Sequence, residues 1–296
     1  MSPHADHSTR TITDLLRQRI RGVFRHLPKG LAGDEEAIHQ MRVAGRRLRI
    51  ALPLLARRPD GRRVRRALRV LRELTRTAGK SRDLDVSLDL LGERLRCRAP
   101  LSREQSLLRR RLRSARARSR TRMAEALMDL EIARLRRDLR AILARGGEEV
   151  FAVRVRLRAV RDEEGQALLE GFRALSTEFD PVALHALRRQ ARRLRYTAEV
   201  GDAVRGGSPS DAPALWKTLQ EQIGKLHDHH VLAGWLEAQA VAARRRGQAA
   251  FSAAARAERA WAEAEAMRLH HQLLQARPIE IATKALEAMG RARTAA

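Results

Sequence analysis

Cysteine, lysine, aromatic residues and long apolar runs are all scarce in this 296-residue chain. A single cysteine, Cys97, excludes an intramolecular disulfide framework and a zinc site built from several thiolates. The amino-terminal stretch lacks the apolar core of a signal peptide, and no apolar run is long enough to span a bilayer. We therefore expect a cytoplasmic protein without a membrane segment.

Acidic residues are outnumbered by basic ones. The chain has 61 Lys+Arg against 35 Asp+Glu, a formal net charge of +26. This excess indicates a polyanionic partner such as nucleic acid, anionic lipid or polyphosphate. Only five of the basic residues are lysines, and the others are arginines. Because the planar guanidinium group holds phosphate oxygens through two parallel hydrogen bonds, the composition suits a phosphate-binding protein.

Apolar residues recur every three or four positions along nearly the whole chain, which predicts an all-α fold. Proline and glycine interrupt this period at a few places, where we place the helix ends. Residues 153–158 alternate as a strand would, but their flanks are helical, so we predict a helix there too. The predicted helices are 9–27, 34–57, 61–79, 82–97, 102–122, 124–145, 151–175, 181–204, 213–226, 228–246, 248–276 and 279–291.

Two patterns occur twice in the chain. Residues 37–50, which contain His39 and an Arg-Arg-Leu-Arg run, match residues 183–196 at an offset of 146 positions (39 to 185). Residues 71–86 match residues 216–231 at an offset of 145 positions (71 to 216). Two motifs in the same order predict an internal duplication, with the first half at 1–147 and the second at 148–296.

The first motif forms a helix with a cationic front and an apolar back. At about 100° per residue, its histidine and three of its arginines fall within one arc of roughly 80°. No acid lies between residues 37 and 58, although arginines four residues apart repel each other. We therefore interpret this face as an anion-binding surface rather than a solvated one. The front residues are His39, Arg42, Arg46 and Arg49, and in the repeat His185, Arg188, Arg192 and Arg195.

Two more predicted helices carry arginines in stripes. The stripe that follows the first motif would present a guanidinium group to a linear polyanion about every 5 Å. The other stripe has no counterpart in the repeat, and we interpret it as a solvated face. The first stripe consists of Arg62, Arg65, Arg69, Arg72 and Arg76, and the second of Arg109, Arg113, Arg116 and Arg120.

In the second motif, a Gly-Lys pair is predicted to end one helix and an acid to open the next. Asp83 and Asp228 would then satisfy free N–H groups at a helix N-terminus, or hold a neighbouring arginine in place. Basic residues beside these helix starts would be secondary anion contacts, because a helix start itself attracts phosphate. They are Lys80, Arg82, Lys225 and His227.

No metal or catalytic motif is evident. His227 and His230 are three residues apart but supply only two ligands, so we expect no metal site. His39 and His185 are suited equally to a hydrogen bond with phosphate and to helix packing. The chain has no nucleophile elbow, Walker loop, HExxH or dinucleotide-binding loop. We expect neither a cofactor nor an enzymatic activity.

These motifs resemble the CHAD domain, the conserved histidine α-helical domain. Residues 39–49 resemble its HxxRVxxRRLR pattern, and residues 79–86 resemble its GxxRDxDV element. In the second half, residues 185–196 resemble HxxRxxxKRLRY, and residues 219–224 resemble LQxxLG followed by an aspartate. Arg189 and the histidine that stands in place of Asp85 depart from the family pattern, which leaves the contacts of the second half open.

The resemblance implies two antiparallel helical bundles related by a pseudo-twofold axis, with a basic cavity between them. It also implies binding of inorganic polyphosphate and, as for some members, a location at polyphosphate granules. Many members carry a fused triphosphate-tunnel domain, for which this sequence has no room, so we expect a standalone module. The predicted polyphosphate-binding residues are His39, Arg42, Arg46, Arg47, Arg49, Arg65, Arg69, Arg72, Lys80, Arg82, His185, Arg188, Arg192, Arg193, Arg195 and Lys225.

The leading hypothesis is therefore non-enzymatic binding of polyphosphate. The alternative is a nucleic-acid-binding protein that contacts the phosphate backbone, since the net charge attracts DNA non-specifically. Aromatic residues are only 3% of the chain, which leaves little for base stacking. A third hypothesis, an enzyme that processes polyphosphate or triphosphate, has no catalytic motif in its favour.

Overall fold

The computed structural model describes residues 3–97 and 100–290, with side chains from residue 11 onward. Within these residues the chain forms ten α-helices and no strand, apart from one isolated bridge between Ala56 and Gly147. The prediction of an all-α fold is confirmed, and residues 153–158 lie inside a helix. The last residue of the predicted helix 279–291 lies outside the described residues.

The helices run the length of the described chain with short connections. They are α1 (Pro3–Leu31), α2 (Glu35–Leu55), α3 (Arg62–Arg96), α4 (Arg103–Met128), α5 (Ile132–Leu143), α6 (Val150–Ala174), α7 (Pro181–Arg205), α8 (Ala212–Arg245), α9 (Ala249–Gln275) and α10 (Pro278–Gly290).

The two helices that carry the first motif begin in the same way. Asp34 caps α2 by accepting a hydrogen bond from the Ala37 N–H at 2.7 Å. Asp180 caps α7 by accepting from the Val182 N–H at 2.8 Å, and Pro181 occupies the first helical position. Both caps satisfy N–H groups that have no acceptor within the helix. Each motif histidine therefore lies five residues after a capping aspartate.

Several predicted helix ends are wrong. α3 continues through residues 79–83, α8 continues through 224–228, and α4 runs past residue 122. α1 also continues through Pro28, which lies in its last turn, where the missing N–H costs a single hydrogen bond. Gly79 and Gly224, at the predicted helix ends, are buried inside α3 and α8, so tertiary contacts override their low helix propensity.

Four hydrophobic clusters hold the helices together, and two of them cross residue 147. Val153 and Val200 pack into the cluster formed by α1, α2, α3 and α5. Leu91 of α3 and Leu236 of α8 belong to another cluster, which joins α3 and α4 to α8 and α9. The two predicted halves therefore share core contacts, while the duplication and the boundary at 147 stay predictions.

Candidate anion-binding site

α2 and α7 bring the two copies of the first motif together. Burial lowers the pKa of Arg42, and the charge of Arg188 on the other helix lowers it further. Burial likewise lowers the pKa of Arg46, and the positive charges of Arg42 and Arg192 lower it further. We call these four guanidinium groups, from Arg42, Arg46, Arg188 and Arg192, the central cluster.

The aspartates of the second motif hold two members of the central cluster. Arg42 Nη1 lies 3.9 Å from Asp83 Oδ1, and Arg188 Nη2 lies 3.7 Å from Asp228 Oδ1. Because both acids lie in the middle of continuous helices, the prediction that they open helices is wrong. The other predicted role, holding a neighbouring arginine, matches the structure.

Glycine makes room for each of these ion pairs. A Cβ on Gly79 would lie 3.2 Å from Arg42 Nη1, and a Cβ on Gly224 would lie 3.9 Å from Arg188 Nε. The approach is tight in α3 and an ordinary contact in α8. A glycine one turn before each aspartate therefore lets the arginine lie across the helix that holds its partner.

Arg46 and Arg192 have no acidic partner. In the described part of the chain, no carboxylate oxygen lies within 4.0 Å of either guanidinium group. After burial, other arginines lower the pKa of both groups, and only Tyr196 raises it. Two half-buried, mutually repelling cations at the centre of a site favour the entry of an anion.

Arg49 and Arg195 are held by polar side chains in the adjoining helices. Arg49 Nη1 donates a hydrogen bond to Thr75 Oγ1 at 3.0 Å, and Arg195 Nη1 donates to Gln220 Oε1 at 3.4 Å. Thr75 and Gln220 are 145 positions apart, which is the offset between the two copies of the second motif.

Arg47 and Arg193 bind acids instead of facing the central cluster. Arg47 Nη2 donates to Glu199 Oε1 at 3.1 Å, and its guanidinium carbon lies 5.6 Å from the centre of the Tyr196 ring. Arg193 donates to Glu164 on α6. Both predicted contacts thus have ion-pair partners within the protein.

Glu199 is a residue of the candidate site that the sequence did not indicate. Its carboxylate receives Arg19 of α1 at 3.7 Å, Arg47 of α2 at 2.9 Å and Arg195 of α7 at 3.5 Å. Three helices from both predicted halves therefore meet at one acid beside the central cluster. The one available signal was an isolated glutamate in an otherwise basic segment.

Three histidines lie at one end of the central cluster. Burial, followed by the charge of Arg82, lowers the pKa of His39, and burial also lowers that of His185. Burial and then Arg188 lower the pKa of His227 to about 3. The rings of His185 and His227 have centroids 5.4 Å apart. For all three imidazoles, burial and the neighbouring guanidinium groups thus favour the neutral form.

The arginine stripe on α3 begins beside the central cluster. Burial lowers the pKa of Arg49, and the charge of Arg72 lowers it further, so Arg72 lies near the site. Arg65, Arg69 and Arg72 are exposed along one face of α3. None of the three makes an ion pair within the described residues. The stripe therefore offers free guanidinium groups outside the cluster.

Lys80 and Lys225 are exposed on α3 and α8, each directly after the glycine of its motif. Like His227, they lie in helix interiors rather than beside helix starts. The predicted attraction of a helix N-terminus for phosphate is therefore absent at these positions.

Half of the second predicted stripe is not a solvated face. Arg116 Nε donates to Asp85 Oδ1 at 2.6 Å, and Arg120 Nη2 donates to the same oxygen at 3.1 Å. Both arginines also bind Glu35, which lies 3.6 Å from Arg82. Asp85 is only 2% exposed, and a buried carboxylate needs cationic partners. Arg116 and Arg120 therefore bind it instead of facing water.

Over residues 3–97 and 100–290, no three histidine, cysteine or acidic side chains are grouped as metal ligands would be. No helix of this part of the chain has the length and apolar character needed to cross a membrane.

Comparison with known sequences gives a family match over most of the chain. Residues 14–237 match the model of the CHAD domain. Two uncharacterized proteins, one from each of two strains of Mycobacterium tuberculosis, are 31% identical over 227 residues, or 73% of this chain. The chain spans 43% of the length of these relatives.

Two solved structures share the fold. The CHAD domain from the plant Ricinus communis is 20% identical, with a TM-score of 0.63, and the match covers 96% of this chain and 92% of that one. PptA from Streptomyces chartreusis is 18% identical, with a TM-score of 0.69, and the match covers 90% and 99%. At these identities the likeness shows the fold alone.

Proposed function

The chain belongs to the CHAD domain family, and we propose that it binds inorganic polyphosphate between α2 and α7 without transforming it. The observation that carries this proposal is the pair Arg46 and Arg192, two half-buried guanidinium groups without a carboxylate partner. A bound phosphate would relieve their mutual repulsion and accept charge-assisted hydrogen bonds from both.

A linear, unbranched polyanion suits the arrangement of the cluster. Equivalent arginines approach from two helices, so a chain with identical units presents the same oxygens to both sides. Binding would release counterions, and the affinity should fall steeply as the salt concentration rises. A nucleic acid could use the same charges, but its bases would find few aromatic side chains, which are 3% of the residues.

The absence of catalysis is part of the proposal. Asp83 and Asp228, the acids nearest the cluster, are committed to Arg42 and Arg188. A carboxylate that holds a guanidinium group is poorly placed to activate water. In the cell, such a binder would act in the cytoplasm, at polyphosphate granules.

Reversing the two unpaired charges tests the proposal. Arg46→Glu combined with Arg192→Glu should lower the affinity for long-chain polyphosphate by more than about 100-fold at physiological salt, because two charge-assisted contacts become repulsive. Isothermal titration calorimetry measures the affinity, and circular dichroism checks that helicity is kept. Arg113→Glu with Arg118→Glu is the matched control, since both side chains are exposed on α4 and make no ion pair in the described part of the chain.

An equal loss in the control would show that overall charge, not the central cluster, binds the ligand. Competition with duplex DNA separates the hypotheses further. If long-chain polyphosphate fails to displace the duplex, the nucleic-acid alternative is the better one. Release of phosphate from polyphosphate in the presence of Mg²⁺ or Mn²⁺ would contradict the non-enzymatic part of the proposal.

A further inference from the structure

A concavity of about 390 Å³ lies at the loop that joins α2 to α3, away from the central cluster. Its apolar floor comes from Ala56, Val64 and Ile142. Six arginines surround it: Arg57, Arg58, Arg62, Arg63, Arg66 and Arg145. Its volume lies within the range of small-ligand sites.

The positive charge around this concavity is largely unbalanced. Arg66 binds Asp138 through two hydrogen bonds, at 3.0 and 2.7 Å, and Arg63 lies 3.9 Å from the same carboxylate. The other four arginines form no ion pair with an acid anywhere in the described ranges. One aspartate therefore faces six guanidinium groups, and the surplus favours an anion.

The N-terminus of α3 opens into the same region. Gly61 precedes the helix and offers no side-chain cap, and the first turn of α3 contains no acid. The N–H groups of the first turn, which begins with Arg62 and Arg63, have no acceptor within the helix. Gly61 N donates to Arg58 O at 3.0 Å, which closes the turn and places Arg58 beside the helix start. Backbone and side-chain donors for an oxyanion thus converge.

The α3 stripe connects this concavity to the central cluster. Arg62 borders the concavity, Arg65 and Arg69 follow along the exposed face, and Arg72 lies near Arg49. From Arg62 to Arg72 the helix rises about 15 Å. The corresponding positions of the second half, 145 residues on, are Gly207, Ser210, Ala214 and Lys217. The connection therefore exists on one side only.

We propose that the concavity at the start of α3 is a second phosphate-binding site, which takes one end of a phosphate chain that runs from the central cluster along α3. The continuous path rests on the proposed function, whereas the second site rests on its own arginines and helix start. Inorganic triphosphate is too short to fill both sites at once, so the number of triphosphates bound counts the sites separately. The affinity for long-chain polyphosphate measures whether one phosphate chain contacts both sites.

Calorimetric titration with triphosphate at low salt tests the second site. The wild-type chain should bind two triphosphates, and Arg58→Ala with Arg62→Ala should bind one. The affinity of the same double variant for long-chain polyphosphate should be roughly tenfold lower, since about two phosphate contacts are lost. Arg245→Ala with Arg256→Ala, exposed on α8 and α9, is the matched control and should keep both triphosphates. Melting temperatures confirm that all variants are folded.

A single triphosphate on the wild-type chain, or equal losses in the control, would overturn the second site. So would a tenfold loss of duplex DNA binding in the Arg58/Arg62 variant, which would mark a general nucleic-acid surface. The two proposals fail separately. If only the Arg46/Arg192 variant binds fewer triphosphates than the wild type, the proposal of a second site is wrong. If only the Arg58/Arg62 variant binds fewer triphosphates, the central cluster is not a binding site and the second site stands.

Discussion

The α2–α3 pair and the α7–α8 pair build the same centre with different surroundings. In both, a mid-helix aspartate holds an arginine across a glycine: Asp83 with Arg42, and Asp228 with Arg188. Burial raises the pKa of Asp228, and the charge of Arg188 opposes that rise. The centre is the part of each pair that is the same in the sequence and in the structure.

The periphery differs between the pairs. Beside the first pair, Asp85 gathers Arg116 and Arg120 into a buried ion network. At the corresponding position of the second pair, His230 instead packs against the Phe179 ring, with centroids 5.7 Å apart. The charged network and the aromatic contact are alternative ways to fix the end of a motif helix. Residues that would face the ligand are alike, and residues that support them are not.

Removing the two supports should give the largest difference. Asp85→Ala should lower the free energy of unfolding by about 3 kcal/mol, because two arginines lose a buried carboxylate. His230→Ala, at an exposed position, should cost about 0.5 kcal/mol or less. Urea denaturation measures both values. Equal losses would mean that the ion network contributes no more than the aromatic contact.

The pH dependence of binding should come mainly from the second pair. His227 has a lowered pKa of about 3 against an ordinary 6.5, and it faces His185, Arg188 and Arg192 of α7 and His230 of its own helix. Without ligand and between pH 6.5 and 3, His227 is protonated in the unfolded chain but neutral in the folded chain. The stability that this group contributes is therefore lost as the pH falls from 6.5 towards 3.

A bound polyanion reverses that preference because it stabilises the imidazolium. The affinity for polyphosphate should therefore rise about tenfold between pH 8 and pH 5.5. His227→Gln should remove most of this rise, and His39→Gln should remove less. Calorimetric titration across this pH range provides the measurement. A rise that survives His227→Gln unchanged would assign the proton uptake to other groups.

The smallest expected difference between the two helix pairs concerns Gly79 and Gly224, each of which lies against one arginine of the central cluster. Gly79→Ala should weaken polyphosphate binding about threefold, because a Cβ 3.2 Å from Arg42 Nη1 displaces that guanidinium group. Gly224→Ala has room at 3.9 Å, so its affinity should stay within error while helix propensity adds about 0.5 kcal/mol of stability. Equal effects of the two substitutions on affinity would show that the position of Arg42 is unimportant.

Helical periodicity predicted the fold class and the residues of the central cluster. It placed Arg42, Arg46, Arg188 and Arg192 on the correct helix faces because those faces repeat every 3.6 residues. It failed at Gly79, where local propensity predicts a helix end and a distant arginine makes glycine useful inside the helix. It also missed the acid partners of Arg116 and Arg120, since ion pairs between separate helices leave no spacing signal.

Glu199 ties α1, α2 and α7 together before any anion arrives. Under the proposed function, these ion pairs would hold three helices in place around the central cluster before a ligand binds. Encounter should then proceed at a rate governed by diffusion and by long-range attraction to the positive surface. Under the same proposal, phosphate chains of different length would differ mainly in residence time, which would lengthen with every additional guanidinium group that the ligand contacts.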